Sequence, residues 1–120
     1  MGLTYVSVSL STLGSLSTGY AGLFLADTGA TDSMAPASVL RRAGIEPVGR
    51  SSYKLAGGVW REYEFALVQV EFLGELTAGR VLFGAEDIPP LLGATALESA
   101  GFVVDPVNQQ LRRLPAIPLY

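Results

Sequence analysis

The chain of 120 residues contains no cysteine and no histidine. Thiol catalysis, disulfide cross-links, Ser-His-Asp triads and the usual zinc sites are therefore excluded, because each needs one of those two residue types. Lysine occurs once, at Lys54, which leaves a Ser-Lys nucleophile a poor option. Charge is scarce: Asp, Glu, Lys and Arg make up 16% of the residues, the net charge is −3, and the local basic pairs are Arg41-Arg42 and Arg112-Arg113. Nothing in this pattern tracks a phosphate backbone, so nucleic acid is not an expected partner. No apolar run approaches the roughly 20 residues of a membrane helix, and no membrane association is expected. The opening MGLTYVSVSLST has neither the basic region nor the unbroken apolar stretch of a secretory signal, and Val6 stands where an N-myristoylation pattern needs Ser or Thr. A soluble, cytoplasmic protein is the expectation. If such a chain is an enzyme, carboxylates are its expected acid and base.

Apolar residues make up 49% of the sequence, more than a small monomer conveniently covers, which favours an oligomer. The length suits a single domain, 1–120, with one core. Alternation in TYVSVSL puts Val6, Val8 and Leu10 on one face of a first strand. Gly14 lies near the turn, and YAGLFLA enters as a second strand, giving a hairpin that feeds Asp27. Pro36 suits the first turn of a short helix through about Ala43, with Gly44 as its left-handed stop. SSYKLAGGVWREYEFALVQVEFLGEL reads as two strands around Gly57-Gly58, a projecting hairpin. GRVLFG is a further strand, AEDIPP a turn, and LLG leads into the helix ATALESA, stopped by Gly101. FVVDPVNQQLRRL closes as a hairpin turning near Pro106, before the proline-broken tail PAIPLY. RRAGIEPV and ESAGFVVDPV echo each other faintly, as two strand–turn–helix halves of one domain would.

FLADTGATDS, Phe24 to Ser33, carries the chemistry. Asp-x-Gly is a common turn, because Asp bonds the backbone two residues on and Gly accepts positive φ. A purely structural turn acid is usually flanked by polar residues, whereas Asp27 follows Leu-Phe-Leu-Ala and precedes Ala30, which points to a carboxylate partly withdrawn from water. LADTGATDS (Leu25–Ser33) followed by PPLLGATALESAGFVVDP (Pro89–Pro106) resembles the retropepsin-like aspartic proteases, and the non-viral, bacterial-type branch fits best. The similarity covers nearly the whole chain in the right order.

The resemblance implies an all-β fold with two short helices, a closed retropepsin-like barrel that works as a homodimer. Asp27 would be the catalytic carboxylate. Thr28 would hydrogen-bond across a two-fold axis to the partner's turn, Gly29 would let substrate approach, Ala30 would line the floor, and Thr31, Asp32 and Ser33 would flank the subsites or support the turn. Ala56, Gly57, Gly58, Val59 and Trp60 would belong to a flap over a bound peptide, and Leu91, Leu92 and Gly93 would pack behind the active loop. The activity implied is an endopeptidase for extended peptides or proteins, with water as nucleophile and neither metal nor cofactor.

The physical need behind the motif stands without the family. Hydrolysis by carboxylates takes one ionised group to accept a proton from water and one protonated group to polarise the carbonyl. Two carboxyls sharing one proton supply both, as is known of this class. With a single Asp-Thr-Gly, the second carboxylate is expected from another copy about a C2 axis; Asp32 lies at a poor distance for that role. Viral members carry an acid at the position of Thr31 and a base at that of Ala94, and here both are absent together, which leaves no stranded charge. The closing hairpin could build an intersubunit sheet or fold onto its own subunit. The alternative function is a catalytically silent peptide-binding or dimerisation module of the same fold, and a third is a segment active only after release from a larger protein.

Other residues have two readings. Trp60 could cover substrate or pack across its hairpin. Glu62 and Glu64 read as the wet face of a strand. Glu86 and Asp87 have no third ligand nearby and read as a solvated turn. Arg112 and Arg113 are expected to keep an edge strand from stray pairing.

Overall fold

A computed structural model describes residues 3–15 and 19–119. Met1 and Gly2, on which the reading of the extreme N-terminus partly rests, and Tyr120 of the tail lie outside the described residues.

In β1 (Tyr5–Thr12) Val6, Val8 and Leu10 point inward at 7%, 2% and 0% exposure, as a period of two requires of a strand with one wet face. β2 (Tyr20–Asp27) pairs antiparallel with it, Tyr5 opposite Leu25 and Leu10 opposite Tyr20. β3 (Ser33–Pro36) follows the Asp-Thr-Gly turn and runs into α1 (Ala37–Arg42). Pro36 is thus the residue before the helix and not part of its first turn: at φ −57° and ψ 137° it is still extended. Gly44, at φ +81°, ends the helix where expected.

β4 (Gly49–Lys54) and β5 (Trp60–Phe72) form the hairpin around Gly57-Gly58. The stretch read as two strands holds the start of a third. The chain reverses at Leu73-Gly74, both at positive φ, and β6 (Glu75–Gly84) runs back along β5. Two-residue turns of this kind normally show Asn-Gly or Gly-Gly, and leucine in the first place conceals one. β7 (Leu91–Gly93), α2 (Ala94–Ala100), β8 (Phe102–Asp105) and β9 (Gln110–Arg113) complete the chain. The helices of the two echoing segments share a glycine stop at positive φ, but only the second is followed directly by a strand.

The strand order β1-β2-β7-β3-β6-β5, with β5 returning to β1, closes six strands into a barrel. The protein is mostly β with two short helices, as expected. β4 lies outside the barrel, paired only to the first part of β5, where Lys54 faces Trp60 and Gly49 faces Phe65. The remainder of β5 pairs with β6 and, from Val68 to Glu71, with β1. Phe24, Leu10, Val68, Phe72, Leu92 and Leu97 are among the side chains that fill one continuous core, each contributing roughly 1.5–3 kcal/mol by leaving water.

β8 and β9 form a separate two-stranded sheet anchored on its own chain. The Phe102 ring lies 5.3 Å from that of Phe72, and Leu114 N–H donates to Gly101 O at 2.8 Å. Arg113 lies on the edge strand β9, as expected, and is half-exposed but also bound. Its guanidinium folds back over the Phe102 ring, donates to Leu73 O at 2.8 Å and pairs with Glu75, because its long stem packs on apolar surface while the head meets acceptors. No helix among the described residues is long and apolar enough to cross a membrane.

Candidate active site

The two strands that flank Asp-Thr-Gly do not pair with each other, because β7 lies between them. It runs parallel to β2, with Asp27 opposite Gly93, and meets β3 antiparallel at Met34 opposite Leu91. The intervening turn, Thr28 to Asp32, must pass over the end of β7, and main-chain bonds fix it there. Ala94 N–H donates to Ala30 O at 2.7 Å and Thr95 N–H to Thr31 O at 3.1 Å. The buried Ser33 hydroxyl accepts Gly93 N–H at 3.0 Å. A Cβ on Gly93 would sit 2.5 Å from the carbonyl carbon of Asp32, so only glycine permits this approach.

Asp27 ends β2 half-buried, as its apolar flanks suggested. Its Oδ1 accepts Gly29 N–H at 2.9 Å, and its Oδ2 has no partner among the described residues. One oxygen is thus pinned and the other presented. Asp32, the second carboxylate of the turn, faces elsewhere: the Tyr53 hydroxyl donates to its Oδ2 at 2.5 Å. Burial, then the bond to Asp32, pushes the Tyr53 phenol above its ordinary pKa.

Three spaces border the turn. A cavity of about 230 Å³ lies between the turn and the β4–β5 hairpin. Gly29, Ala30, Thr31, Asp32, Ala56 and Leu91 line it, together with Met34, Tyr53, Lys54, Leu55, Tyr63 and Leu82. Asp27 and Thr28 do not line it. Asp27 joins Leu3, Leu25, Val104 and Pro106 around a cleft of about 310 Å³, and Thr28 also borders a second cleft of about 460 Å³ walled by Leu97, Phe102 and Val104. Leu92 is fully buried in the core.

At the hairpin tip Leu55 and Ala56 line the first of these spaces, whereas Gly57, Gly58, Val59 and Trp60 line none of the three. Leu55 N–H donates to Val59 O at 2.7 Å and Gly58 N–H to Leu55 O at 3.0 Å. This tight loop needs Gly57 and Gly58 at φ +88° and +83°. Val59 and Trp60 are 57% and 67% exposed. Trp60 has a cross-strand partner, Lys54, whose Nζ lies 5.9 Å from the ring centre. Tyr53 and Arg80 belong to no motif in the sequence. GRSSYK has no apolar alternation to mark Tyr53, whose half-buried place on β4 is set by the fold.

Fold and site together define a closed six-stranded barrel that presents one half-buried aspartate on a turn beside two apolar clefts. No protein-family model matches this chain, and no curated protein matches it in sequence.

Proposed function

We propose that the protein is a retropepsin-like aspartic endopeptidase whose catalytic pair forms when Asp27 of two copies meet about a two-fold axis. The observation that carries this reading is the placement of Asp27: at the end of a strand braced by an inserted third strand, with one oxygen tied to Gly29 N–H and the other open. A structural turn acid has no need of that brace. In the dimer, one carboxylate takes a proton from water as it attacks the peptide carbonyl, while the other, protonated, polarises that carbonyl. The tetrahedral species then collapses as a proton passes to the leaving nitrogen.

The surroundings favour a second copy as the missing half. Asp27 and Thr28 border apolar clefts, and an apolar face beside an incomplete site suits a self-complementary C2 contact. The β4–β5 hairpin acts as the flap, and an extended peptide lies between it and the turn as an added strand. The reading is compatible with Thr31 and Ala94 standing in place of the viral acid–base pair. Main-chain bonds Ala94 to Ala30 and Thr95 to Thr31 join turn and helix where that ion pair would stand.

The test compares wild type with Asp27→Asn on a peptide library at mildly acidic pH, with an aspartic-protease inhibitor as control. Wild type cleaves, and the variant loses about 10³-fold in rate. Adding excess Asp27→Asn protein to wild type lowers activity further, because mixed dimers hold one carboxyl. Equal cleavage by both proteins removes Asp27 from the mechanism, and cleavage by neither favours the silent binding module or an unmet activation step.

A further inference from the structure

Tyr53 sits where β4 enters the flap and is held on several sides. Its hydroxyl proton goes to Asp32 Oδ2 at 2.5 Å, and its oxygen accepts from Arg80 Nη1 at 3.4 Å. Arg80 is itself fixed, donating to Ser51 Oγ at 2.7 Å and lying over the Phe65 ring at 4.0 Å. The Tyr63 ring meets Tyr53 edge-on, 6.0 Å away. Among the described residues, Tyr53 to Asp32 is the only side-chain hydrogen bond between the flap hairpin and the catalytic turn.

We propose that Tyr53 and Asp32 form a latch that sets the height of the flap above the catalytic turn, making Tyr53 a positioning residue for the substrate side chain held beneath it. What the cavity receives rests on the proteolytic reading; the latch rests on geometry alone. Beyond Tyr53 the flap has its own turn and ladder bonds, the Lys54–Trp60 contact and, apart from half-buried Leu55, exposed side chains, and a two-stranded ribbon with so little packing is marginal by itself. One charge-assisted bond at its base therefore has large leverage on its opening. Tyr53, Leu55 and Ala56 wall the cavity opposite Asp32, with Met34 and Leu82 as apolar floor. An apolar substrate side chain fits that lining, and its fit depends on the separation that the latch fixes. A phenol pushed above its ordinary pKa keeps its proton through the neutral range, so the donor is always present. Arg80 beside the phenol oxygen strengthens the donation.

Tyr53→Phe removes one oxygen and keeps the ring. It is expected to raise KM about tenfold, with kcat within about twofold because Asp27 is untouched. Amide exchange at Leu55 and Gly58 should accelerate about tenfold. Asp32→Asn, which retains an acceptor oxygen, should lie closer to wild type than Asp32→Ala. Unchanged KM together with unchanged exchange in folded Tyr53→Phe overturns the proposal. The exchange measurement separates the two readings: faster exchange in Tyr53→Phe when no variant cleaves peptide supports the latch and removes only the proteolytic reading. Slow exchange in an active Tyr53→Phe enzyme with wild-type KM removes only the latch.

Discussion

Gly93 shows how a single atom governs the turn. A methyl group there would overlap Asp32 and Thr31, whose backbone has no room to give. Gly93→Ala is expected to cost roughly 1–3 kcal/mol, as overpacking does, and to displace Asp27 with it. Denaturant melts give the first effect; on the proposed proteolytic reading peptide turnover gives the second and should fall more than stability does. Asp27 was legible because its evidence is local: an apolar strand before it, a glycine after it. The Tyr53–Asp32 bond was not, since its partners stand on segments that the chain brings together only by folding. Asp32 was expected to flank a subsite or support the turn, and its partner Tyr53 lies 21 residues away along the chain.

Helix α1 illustrates what neighbours in space add to an element. Pro36 offers no side-chain cap, and Glu86, from the loop after β6, takes that part by accepting Ser38 N–H at 3.0 Å as well as the Ser38 hydroxyl. Glu86 is exposed, as a solvated turn requires, yet it is bound. The Ser38 hydroxyl, then Ser38 N–H, holds its carboxyl below the usual glutamate range. A folded-state value below the unfolded one means stabilisation above the ordinary glutamate pKa, lost as pH falls through the depressed value. Glu86→Gln should therefore lower Tm at pH 7, and the gap to wild type should close towards pH 3. Glu64, read as part of a wet strand face, is likewise engaged, pairing with Arg41 of α1 at 3.1 Å, whereas Glu62 pairs with Arg50 on the exposed side at 2.8 Å. The β5–β6 turn gives the opposite prediction. Leu73 at φ +51° is strained and half-exposed, and its carbonyl, not its side chain, holds Arg113. Leu73→Asn should stabilise by about 1 kcal/mol in urea melts.

For the molecule as a whole, barrel closure removes most free strand edges and leaves them at β4 and the β8–β9 hairpin. Apolar side chains nonetheless remain outside, and Leu3, 59% exposed, borders the cleft that holds Asp27. If two copies meet on this face, a charge at Leu3 opposes association without disturbing a packed core. Leu3→Glu should sediment as a monomer at concentrations where wild type is a dimer, keep its circular dichroism, and lose hydrolysis in proportion to dimer lost. Full activity in a monomeric Leu3→Glu protein would contradict the shared catalytic pair.

Period-two patterns, helix stops at Gly44 and Gly101, and the Asp-Thr-Gly turn depend on residues a few positions apart, so strands, helices and the candidate acid could be read along the chain. Contacts between distant segments have no such trace. That β7 slides between β2 and β3, that Glu86 caps a remote helix, and that Asp32 answers to Tyr53 while Asp27 faces an apolar cleft are set when six strands close, because closure fixes register and with it which side chains can meet.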